Sequence, residues 1–341
     1  MELALYAPGL GYYGGSGPGG GLRPVGRGGD FYTSVSVGET FGWILAHRIA
    51  EEWTASFARD ETFVVVEQGG HDGRLARDIV GALGEIDGAL PDRFEYRLVE
   101  PRAHLFESLA EGLADCPRIR VVPSLAAARS SCGIFLCNEL LDAFPVDLLV
   151  FEGGEWREKR VAWDAAASAP CWTTAPLPES YAAFVGELGK GFPEDYTTEV
   201  CPGIEPWMAE AAGLFDRGLW WIVDYGFERA DYYLPERTRG TLRCYRGHRA
   251  GEDPFEASGE QDITAHVDFT RVEEAAARAG LRKRRLTDQN RFLVSAARPW
   301  LLSIDGRAPG GADAKRIRQF QTLSHPSLMG AGFRVLELER S

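Results

Sequence analysis

Residues 62–73 read TFVVVEQGGHDG, and this stretch decides the fold class. Its first half, TFVVVE, is a short apolar run rich in β-branched residues, which is typical of a strand buried on both faces. The glycines that follow predict a tight turn, and the turn leads into a helix predicted over residues 74–86. In open parallel sheets, ligands bind outside the carboxyl ends of the strands. The glycine turn is therefore the first candidate binding site.

The same alternation of apolar runs and helices continues on both sides of this turn. An amphipathic helix is predicted over 38–58 and another helix over 103–113. Further buried strands are predicted at Tyr96–Glu100, Arg118–Val122, Gly133–Asn138 and Trp220–Gly226. Such an order predicts an α/β, Rossmann-like fold, in which a parallel sheet carries helices on both faces.

Two regions interrupt the alternation and suggest how the chain is divided. A hairpin is predicted at Asp147–Trp163, with its turn at Gly153–Gly154. We expect 147–215 to be an inserted substrate or cover region over the carboxyl edge of the sheet. The remainder divides into a glycine-rich N-terminal lid and helix at 1–60, the first half of the core at 61–146 and its second half at 216–341. The last segment of that half, Phe333–Arg340, is expected to be an edge strand.

Composition excludes several classes of protein. The 341 residues carry a formal net charge of −13, which disfavours binding to nucleic acid or an anionic membrane. Apolar runs stay well below the roughly 18 residues of a membrane span. The first residues lack the basic start and apolar core of a secretion signal, so we expect a cytoplasmic protein. The six cysteines form no CxxC pair, and we expect no metal site.

The glycine turn favours S-adenosylmethionine (SAM) over a dinucleotide. A G-x-G-x-x-G fingerprint starting at Gly69 would need glycines where His71 and Arg74 stand. SAM enzymes use the related pattern acid-x-Gly-x-Gly-x-Gly, which Glu67, Gly69 and Gly73 match, whereas His71 replaces the middle glycine. Glycines here, Gly70 included, let the backbone approach a ligand closely. The alternative interpretation is a tight strand-to-helix turn without a ligand.

Glu100 supports the SAM interpretation. This residue ends the second strand, 27 residues after Gly73. A carboxylate there can accept hydrogen bonds from both ribose hydroxyls, and charge-assisted bonds of this kind contribute about 1.5–3 kcal/mol. The alternative for Glu100 is a solvated strand end.

Polar residues after the fourth strand are the candidates for the reacting end of the site. Asn138, Glu139 and Asp142 follow that strand directly, and the last two share a face if the segment turns helically. Carboxylates there could clamp an arginine guanidinium and orient one of its nitrogens. His266 could act as a base or position the substrate. The alternatives are a helix cap for the carboxylates and a core histidine for His266.

Several stretches together resemble one known family. In chain order they are LYAPGLGYY, GDFYTS, the E-x-G-x-x-x-G turn, YRLVEP, CNELLDAFPV, VDYG, GTLRCYRGHR, DITAHVDF and HPSLMGAGFRVLEL. The chain resembles the MidA-like SAM-dependent methyltransferases, which include the mitochondrial complex I assembly-factor methyltransferase. The resemblance covers nearly the whole chain and implies a class I methyltransferase sheet with added covering elements. It implies SAM as cofactor and S-adenosylhomocysteine as product.

The resemblance also implies roles for individual residues. The positions that match the SAM site are Tyr32, Thr33, Glu67, Gly69, Gly73, Glu100, Asn138 and Glu139. Catalytic roles at the acceptor fall on Glu139, Asp142 and His266. The implied acceptor is a protein with an exposed arginine, and a respiratory complex I subunit is one candidate partner. The oligomeric state stays open.

Two alternatives stand beside protein-arginine methylation. The covering insertion could close over a small-molecule acceptor instead of a protein. The added bulk of His71 in the glycine turn could weaken SAM binding and leave a noncatalytic assembly or chaperone factor that retains the fold.

Overall fold

Strands and helices alternate along the computed structural model, which describes residues 1–15, 23, 26, 29–30, 32–57, 63–86, 94–306, 308 and 310–341. The strands are, in chain order, β1 (Phe63–Gln68), β2 (Phe94–Val99), β3 (Ile119–Val122), β4 (Ser130–Asn138), β5 (Asp147–Glu152), β6 (Glu155–Asp164), β7 (Ala169–Pro176), β8 (Tyr196–Val200), β9 (Phe215–Phe227), β10 (Arg243–Arg246), β11 (Arg249–Gly251), β12 (Asp262–Thr264), β13 (Val267–Asp268), β14 (Arg282–Asp288) and β15 (Phe333–Arg340). The helices are α1 (Glu2–Tyr6), α2 (Ser34–Val37), α3 (Thr40–Ser56), α4 (Arg74–Ile86), α5 (Ala103–Gly112), α6 (Ala182–Glu187), α7 (Ile204–Ala212), α8 (Arg229–Tyr232), α9 (Phe269–Arg278), α10 (Gln289–Ile304) and α11 (Gly311–Ser324).

The central sheet runs in the order β3-β2-β1-β4-β9-β15-β14, and β13 also pairs with β9. Strands β1 to β4 and β9 are mutually parallel, whereas β15 is antiparallel to both of its neighbours. The register sets Glu67 opposite Leu98 on one side and Leu136 on the other. Because parallel strands end at the same edge, the segments that follow β1, β2 and β4 meet there.

Helices cover both faces of this sheet, as the sequence predicts. In β1, Phe63 and Val65 face one hydrophobic cluster, whereas Val64 and Val66 face another. The first cluster includes buried residues of α3, α4 and α10, and the second includes residues of α7 and α9. This two-sided burial explains the uninterrupted apolar run in β1, since both faces of the strand are removed from water.

The predicted hairpin and the helix over 74–86 are confirmed, but the last strand is not at an edge. Strands β5 and β6 form the hairpin around Gly153–Gly154, and α4 has the predicted bounds. Strand β15 lies between β9 and β14, so the edge position predicted for Phe333–Arg340 is wrong. Strand β14, whose sequence RKRRLTD tolerates exposure, takes the edge instead.

Two smaller sheets accompany the central one. Strands β5 to β8 form an antiparallel sheet in the order β7-β6-β5-β8, and β10 to β12 form a three-stranded sheet. Residues of the N-terminal segment, Leu5 and Tyr12, pack against Cys244 and Ile263 of the latter sheet. The glycine-rich lid expected after residue 15 lies largely outside the described residues. No helix within the described part of the chain is long and apolar enough to cross a membrane.

Candidate functional site

A cavity of about 500 Å³ lies where β1, β2 and β4 end. Its walls come from the segments after these three strands and from the N-terminal segment. Most of the predicted site residues line this one cavity, namely Thr33, Glu67, Gly69, Gly70, Glu100, Asn138, Glu139 and Asp142. No residue of the hairpin-containing sheet β5–β8, all of which is described, lines it.

Each glycine of the turn after β1 meets a specific physical demand. Gly69 and Gly73 have φ values of +84° and +75°, in the left-handed region that glycine adopts without strain. A Cβ on Gly70 would collide with the Leu98 side chain and lie 2.8 Å from Glu67 Oε1. A larger residue at Gly70 would therefore have to displace the buried side chains of Leu98 and Glu67.

His71 leaves the cavity open. Its backbone is left-handed, with a φ of +48°, and its Nε2 lies 2.8 Å from the carbonyl oxygen of Arg23. The next residue, Asp72, accepts a hydrogen bond from the Arg74 N–H at the start of α4. The imidazole is thus tied to the N-terminal segment, and it lines the cavity without filling it.

Glu67 lies near the end of β1, directly before the glycine turn. Its buried carboxylate accepts a 2.7 Å hydrogen bond from the Tyr96 hydroxyl. Burial raises the pKa of Glu67 to about 7, with the Tyr96 hydroxyl opposing that rise. The side chain is therefore partly protonated at neutral pH, and its charge is available to respond to a bound cation.

Glu100 is 4% exposed and already has a basic partner. Arg102 donates from Nε and Nη2 to the two carboxylate oxygens, at 2.8 and 2.7 Å, and its backbone N–H donates at 2.9 Å. Its Nη1 reaches the carbonyl oxygen of Tyr13 at 3.5 Å. Arg102 thereby connects the predicted ribose carboxylate to the N-terminal segment.

Asn138 and Glu139 form a polar corner at the end of β4. Glu139 Oε1 accepts hydrogen bonds from the Ser34 N–H at 2.9 Å and from Asn138 Nδ2 at 3.0 Å. Asn138 Oδ1 is buried and has no hydrogen-bond partner among the described residues. Glu139 is left-handed, with a φ of +52°, and burial raises its pKa to about 8. Strained backbone of this kind clusters at functional sites.

Asp142 is held in place by two neighbours on β9. Asp224 Oδ2 accepts the backbone N–H groups of Leu140, Leu141 and Asp142, which folds the segment after β4 into its turn. The Tyr225 hydroxyl donates to Asp142 Oδ2. Asp142 Oδ1 is buried and has no partner among the described residues, and the whole residue is only 6% exposed. Burial raises the pKa of Asp142 above its ordinary value.

Among the cavity residues that were not predicted, three contact one another. Asp262 on β12 accepts a 2.9 Å hydrogen bond from the Tyr13 hydroxyl, and Tyr6 stacks on Tyr13 with ring centroids 5.7 Å apart. These residues lie in the stretches LYAPGLGYY and DITAHVDF, which contributed to the family resemblance but carried no site assignment for these positions. The pairing of residues so far apart in sequence could not be read from local pattern.

The structure does not bring every predicted residue to the cavity. Tyr32 is 56% exposed and stacks on His248, with ring centroids 4.9 Å apart. Gly73 and His266 are also missing from the described residues that line it. The His266 ring stacks on Phe227 and meets the edge of Tyr225, and burial lowers its pKa to about 4. The His266 imidazole lies beside Tyr225 and outside the described lining of this cavity, and its role at the acceptor stays a prediction.

The residues present suit a SAM molecule. Two buried acceptors, Asn138 Oδ1 and Asp142 Oδ1, lack partners in the described structure, and Gly69 and Gly70 of the glycine turn line the cavity. Seven of the described lining residues are acidic and two are arginine, and Arg102 is paired with Glu100. Such a cavity favours a cationic sulfonium over a phosphate-bearing cofactor. No group of three metal-ligating side chains occurs among the described residues.

Comparison with known proteins agrees with this geometry. The family model Methyltransf_28, which describes S-adenosyl-L-methionine-dependent methyltransferases, matches residues 44–287. A protein from Burkholderia thailandensis, assigned as a methyl transferase and crystallised with S-adenosyl-homocysteine, is 33% identical. The alignment covers 100% of this chain and 86% of that one, with a TM-score of 0.85.

More distant relatives have curated names. The protein arginine methyltransferase NDUFAF7 homolog of Drosophila melanogaster is 26% identical over 286 residues, 75% of this chain. The mouse protein arginine methyltransferase NDUFAF7 is 26% identical over 347 residues, 92% of this chain. The aligned region spans 62% of the fly protein and 75% of the mouse protein. Because the Methyltransf_28 model matches residues 44–287, more than half of the chain, the chain belongs to that family of S-adenosyl-L-methionine-dependent methyltransferases.

Proposed function

We propose that this methyltransferase transfers the methyl group of SAM to an arginine side chain of a protein. The observation that carries the proposal is Asp142, whose Oδ1 is buried at the cavity wall without a hydrogen-bond partner among the described residues. An unpartnered buried acceptor loses about 1–3 kcal/mol, and a donor-rich ligand would recover this loss. A guanidinium has five N–H donors and no acceptor, so it matches an acidic wall.

Four residues have roles in holding the cofactor in this proposal. Glu100 accepts the ribose hydroxyls, and the backbone at Gly69 and Gly70 lies against the methionine part. Asn138 Oδ1 accepts a hydrogen bond from the cofactor's ammonium group. When bound, SAM would supply an electrophilic methyl group: the N–CH3 bond would form as the S–CH3 bond breaks, S-adenosylhomocysteine would leave, and the nitrogen would lose one proton.

Asp142 has two functions toward the acceptor. Its carboxylate binds the guanidinium and orients one nitrogen, and Oδ1 is the atom that accepts the proton which that nitrogen loses. Burial raises the pKa of Asp142, so the carboxylate is a better proton acceptor than an exposed aspartate. The Tyr225 hydroxyl occupies Oδ2 and keeps Oδ1 available.

The names of the distant relatives support a protein-arginine acceptor, because they are protein arginine methyltransferases. The identities of about 26% leave that acceptor a proposal for this chain. A complex I subunit as partner and a cytoplasmic location stay predictions from the sequence.

The experiment is a transfer assay with isotopically labelled SAM and a cell extract from a strain that lacks the protein. Wild-type protein is expected to label arginine, identified by mass spectrometry of digested proteins. Asp142→Asn should retain S-adenosylhomocysteine binding but transfer at least tenfold more slowly. Asp216→Asn is the matched control, since Asp216 is exposed at the start of β9. Label on another nucleophile, or equal activity of both variants, would contradict the proposal.

A further inference from the structure

Among the cavity-lining residues without a role in the SAM assignment, three contact one another. Tyr6 and Tyr13 come from the N-terminal segment, and Asp262 comes from β12. The two rings are stacked, the Tyr13 hydroxyl donates to Asp262, and the Tyr6 hydroxyl donates to the carbonyl oxygen of Ala143. These contacts join an aromatic wall to the segment that carries Asp142.

Asp142 and Asp262 line the same cavity although they lie 120 residues apart in the chain. Burial, and after it the charge of Asp142, raises the pKa of Asp262 to about 7. Asp262 is 1% exposed and Asp142 has an unpartnered buried oxygen. Keeping two like charges together in a buried place is unfavourable unless a cation joins them.

Of the two described arginines that line the cavity, Arg102 is paired with another carboxylate. Arg102 forms its ion pair with Glu100 at 2.7 Å. The charge of Arg74 acts on Asp72 and Asp78. A proton on one of the two carboxyls relieves their repulsion in the free protein, and a cationic ligand could take the place of that proton.

We propose that Asp142 and Asp262 together form a guanidinium-binding subsite, walled by the rings of Tyr6 and Tyr13, that selects arginine over lysine. This inference rests on the proposed function and adds Asp262 as its specificity-determining residue. A planar guanidinium can present N–H donors to two carboxylates at once and stack on an aromatic face. An ammonium is a compact, strongly hydrated point charge that gains less from two separated carboxylates and a ring wall.

The first test measures binding without methyl transfer. Nα-acetyl-arginine amide and Nα-acetyl-lysine amide are titrated into the protein saturated with S-adenosylhomocysteine, and saturation-transfer NMR reports their binding. Wild-type protein should prefer the arginine probe by at least tenfold. Asp262→Asn keeps the shape of the side chain but removes its charge, and it should weaken arginine binding at least tenfold. Its S-adenosylhomocysteine affinity should stay within twofold of wild type.

Glu260→Gln is the matched control, because Glu260 is an exposed neighbour paired with Arg246. It should bind the arginine probe as wild type does. Loss of S-adenosylhomocysteine binding would show that Asp262→Asn does not fold. In that case, arginine binding is measured in Asp142→Asn, which removes the other carboxylate of the same subsite. Unchanged arginine binding in the folded variant, or a wild type without preference for arginine, would overturn the subsite.

The failures of the two proposals can be told apart by the labelled-transfer assay. If wild-type protein methylates arginine and Asp262→Asn leaves the acceptor KM unchanged, the subsite is wrong and the proposed function stands. If the wild-type product contains no methylarginine, the proposed function itself is wrong.

Discussion

Replacing Glu100 with Gln removes the charge predicted to bind the ribose and also weakens the ion pair with Arg102. Gln keeps the carbonyl oxygen that accepts the Arg102 backbone N–H, a bond of 2.9 Å in the present structure. The same oxygen accepts the Arg102 Nε–H at 2.8 Å, so Gln loses only the contact between Oε2 and Arg102 Nη2 at 2.7 Å, together with the ionic character of the pair. The side chain is 4% exposed, so water does not replace the lost carboxylate oxygen fully.

The expected magnitude follows from one lost charge-assisted hydrogen bond to the ribose. Such a bond contributes about 1.5–3 kcal/mol, and each ~1.4 kcal/mol is tenfold in affinity. Glu100→Gln should therefore weaken S-adenosylhomocysteine binding by roughly ten- to 150-fold. Arg102→Gln removes the partner and leaves the carboxylate free, so that variant should bind S-adenosylhomocysteine at least as well as wild type.

Titration calorimetry with S-adenosylhomocysteine measures both variants, with Glu107→Gln on the exposed face of α5 as control. Thermal unfolding without ligand checks that each variant folds. The double variant, with Glu100→Gln and Arg102→Gln, completes a double-mutant cycle. The cycle separates the free energy of the ribose contact from the cost of leaving the Arg102 charge unpaired. A folded Glu100→Gln protein that binds within twofold of wild type would refute the ribose assignment.

Three further predictions concern Gly70 in the glycine turn, Glu139 after β4 and Tyr225 on β9. Gly70→Ala should lower S-adenosylhomocysteine affinity at least tenfold in calorimetry, because the new Cβ would displace the Leu98 and Glu67 side chains. Gly81→Ala is the control, since a Cβ there meets open space in α4, and it should bind S-adenosylhomocysteine as wild type does. Glu139 keeps its proton in the folded state up to a pKa of about 8, so protein stability should fall as pH rises from about 4.5 to 8. Glu139→Gln should flatten that fall in thermal unfolding, and an unchanged slope would contradict the burial argument. Tyr225→Phe removes the hydrogen bond to Asp142, so kcat should fall several-fold with unchanged S-adenosylhomocysteine affinity; an equal loss of affinity would show that the tyrosine acts on the fold.

Local pattern was enough to predict the core strands and the glycine turn. Strand β1 is buried on both faces, so its apolar run carries no period and reads as a parallel strand. Helix α4 begins directly after Gly73, whose positive φ lets the chain turn, and its bounds match the prediction. The carboxylates after β2 and β4 reach one cavity because parallel strands share their carboxyl edge.

The acceptor end of the cavity could not be predicted in the same way. Tyr13 and Asp262 are 249 residues apart, and Tyr225 and Asp142 are 83 apart. Such contacts depend on how the N-terminal segment and β12 pack, which no local period reveals. His266 follows β12 closely in sequence but meets the aromatic rings beside β13 instead of the cavity.

The edge strand and the C-terminal helices show a second limit. Strand β14 is mostly charged and lacks an alternating pattern, and helix α10 contains Pro299 within its span. Strand β14 has no buried residue and joins the sheet by pairing with β15. Helix α10 buries residues at helical spacing, among them Phe292, Ala296 and Trp300, but Pro299 within it is a signal against a helix. Strand β15 was found in sequence, but its antiparallel insertion between β9 and β14 is a property of the whole sheet.

The most direct test of the central claim is a crystal structure of this protein grown with S-adenosylhomocysteine. The account predicts the ligand in the cavity, with its ribose hydroxyls on Glu100, its amino-acid part against Gly69–Gly70 and its ammonium group donating to Asn138 Oδ1. It also predicts that the path from the ligand sulfur toward Asp142 stays open. Ligand bound at another place, or a cavity without ligand at saturating concentration, would contradict the account.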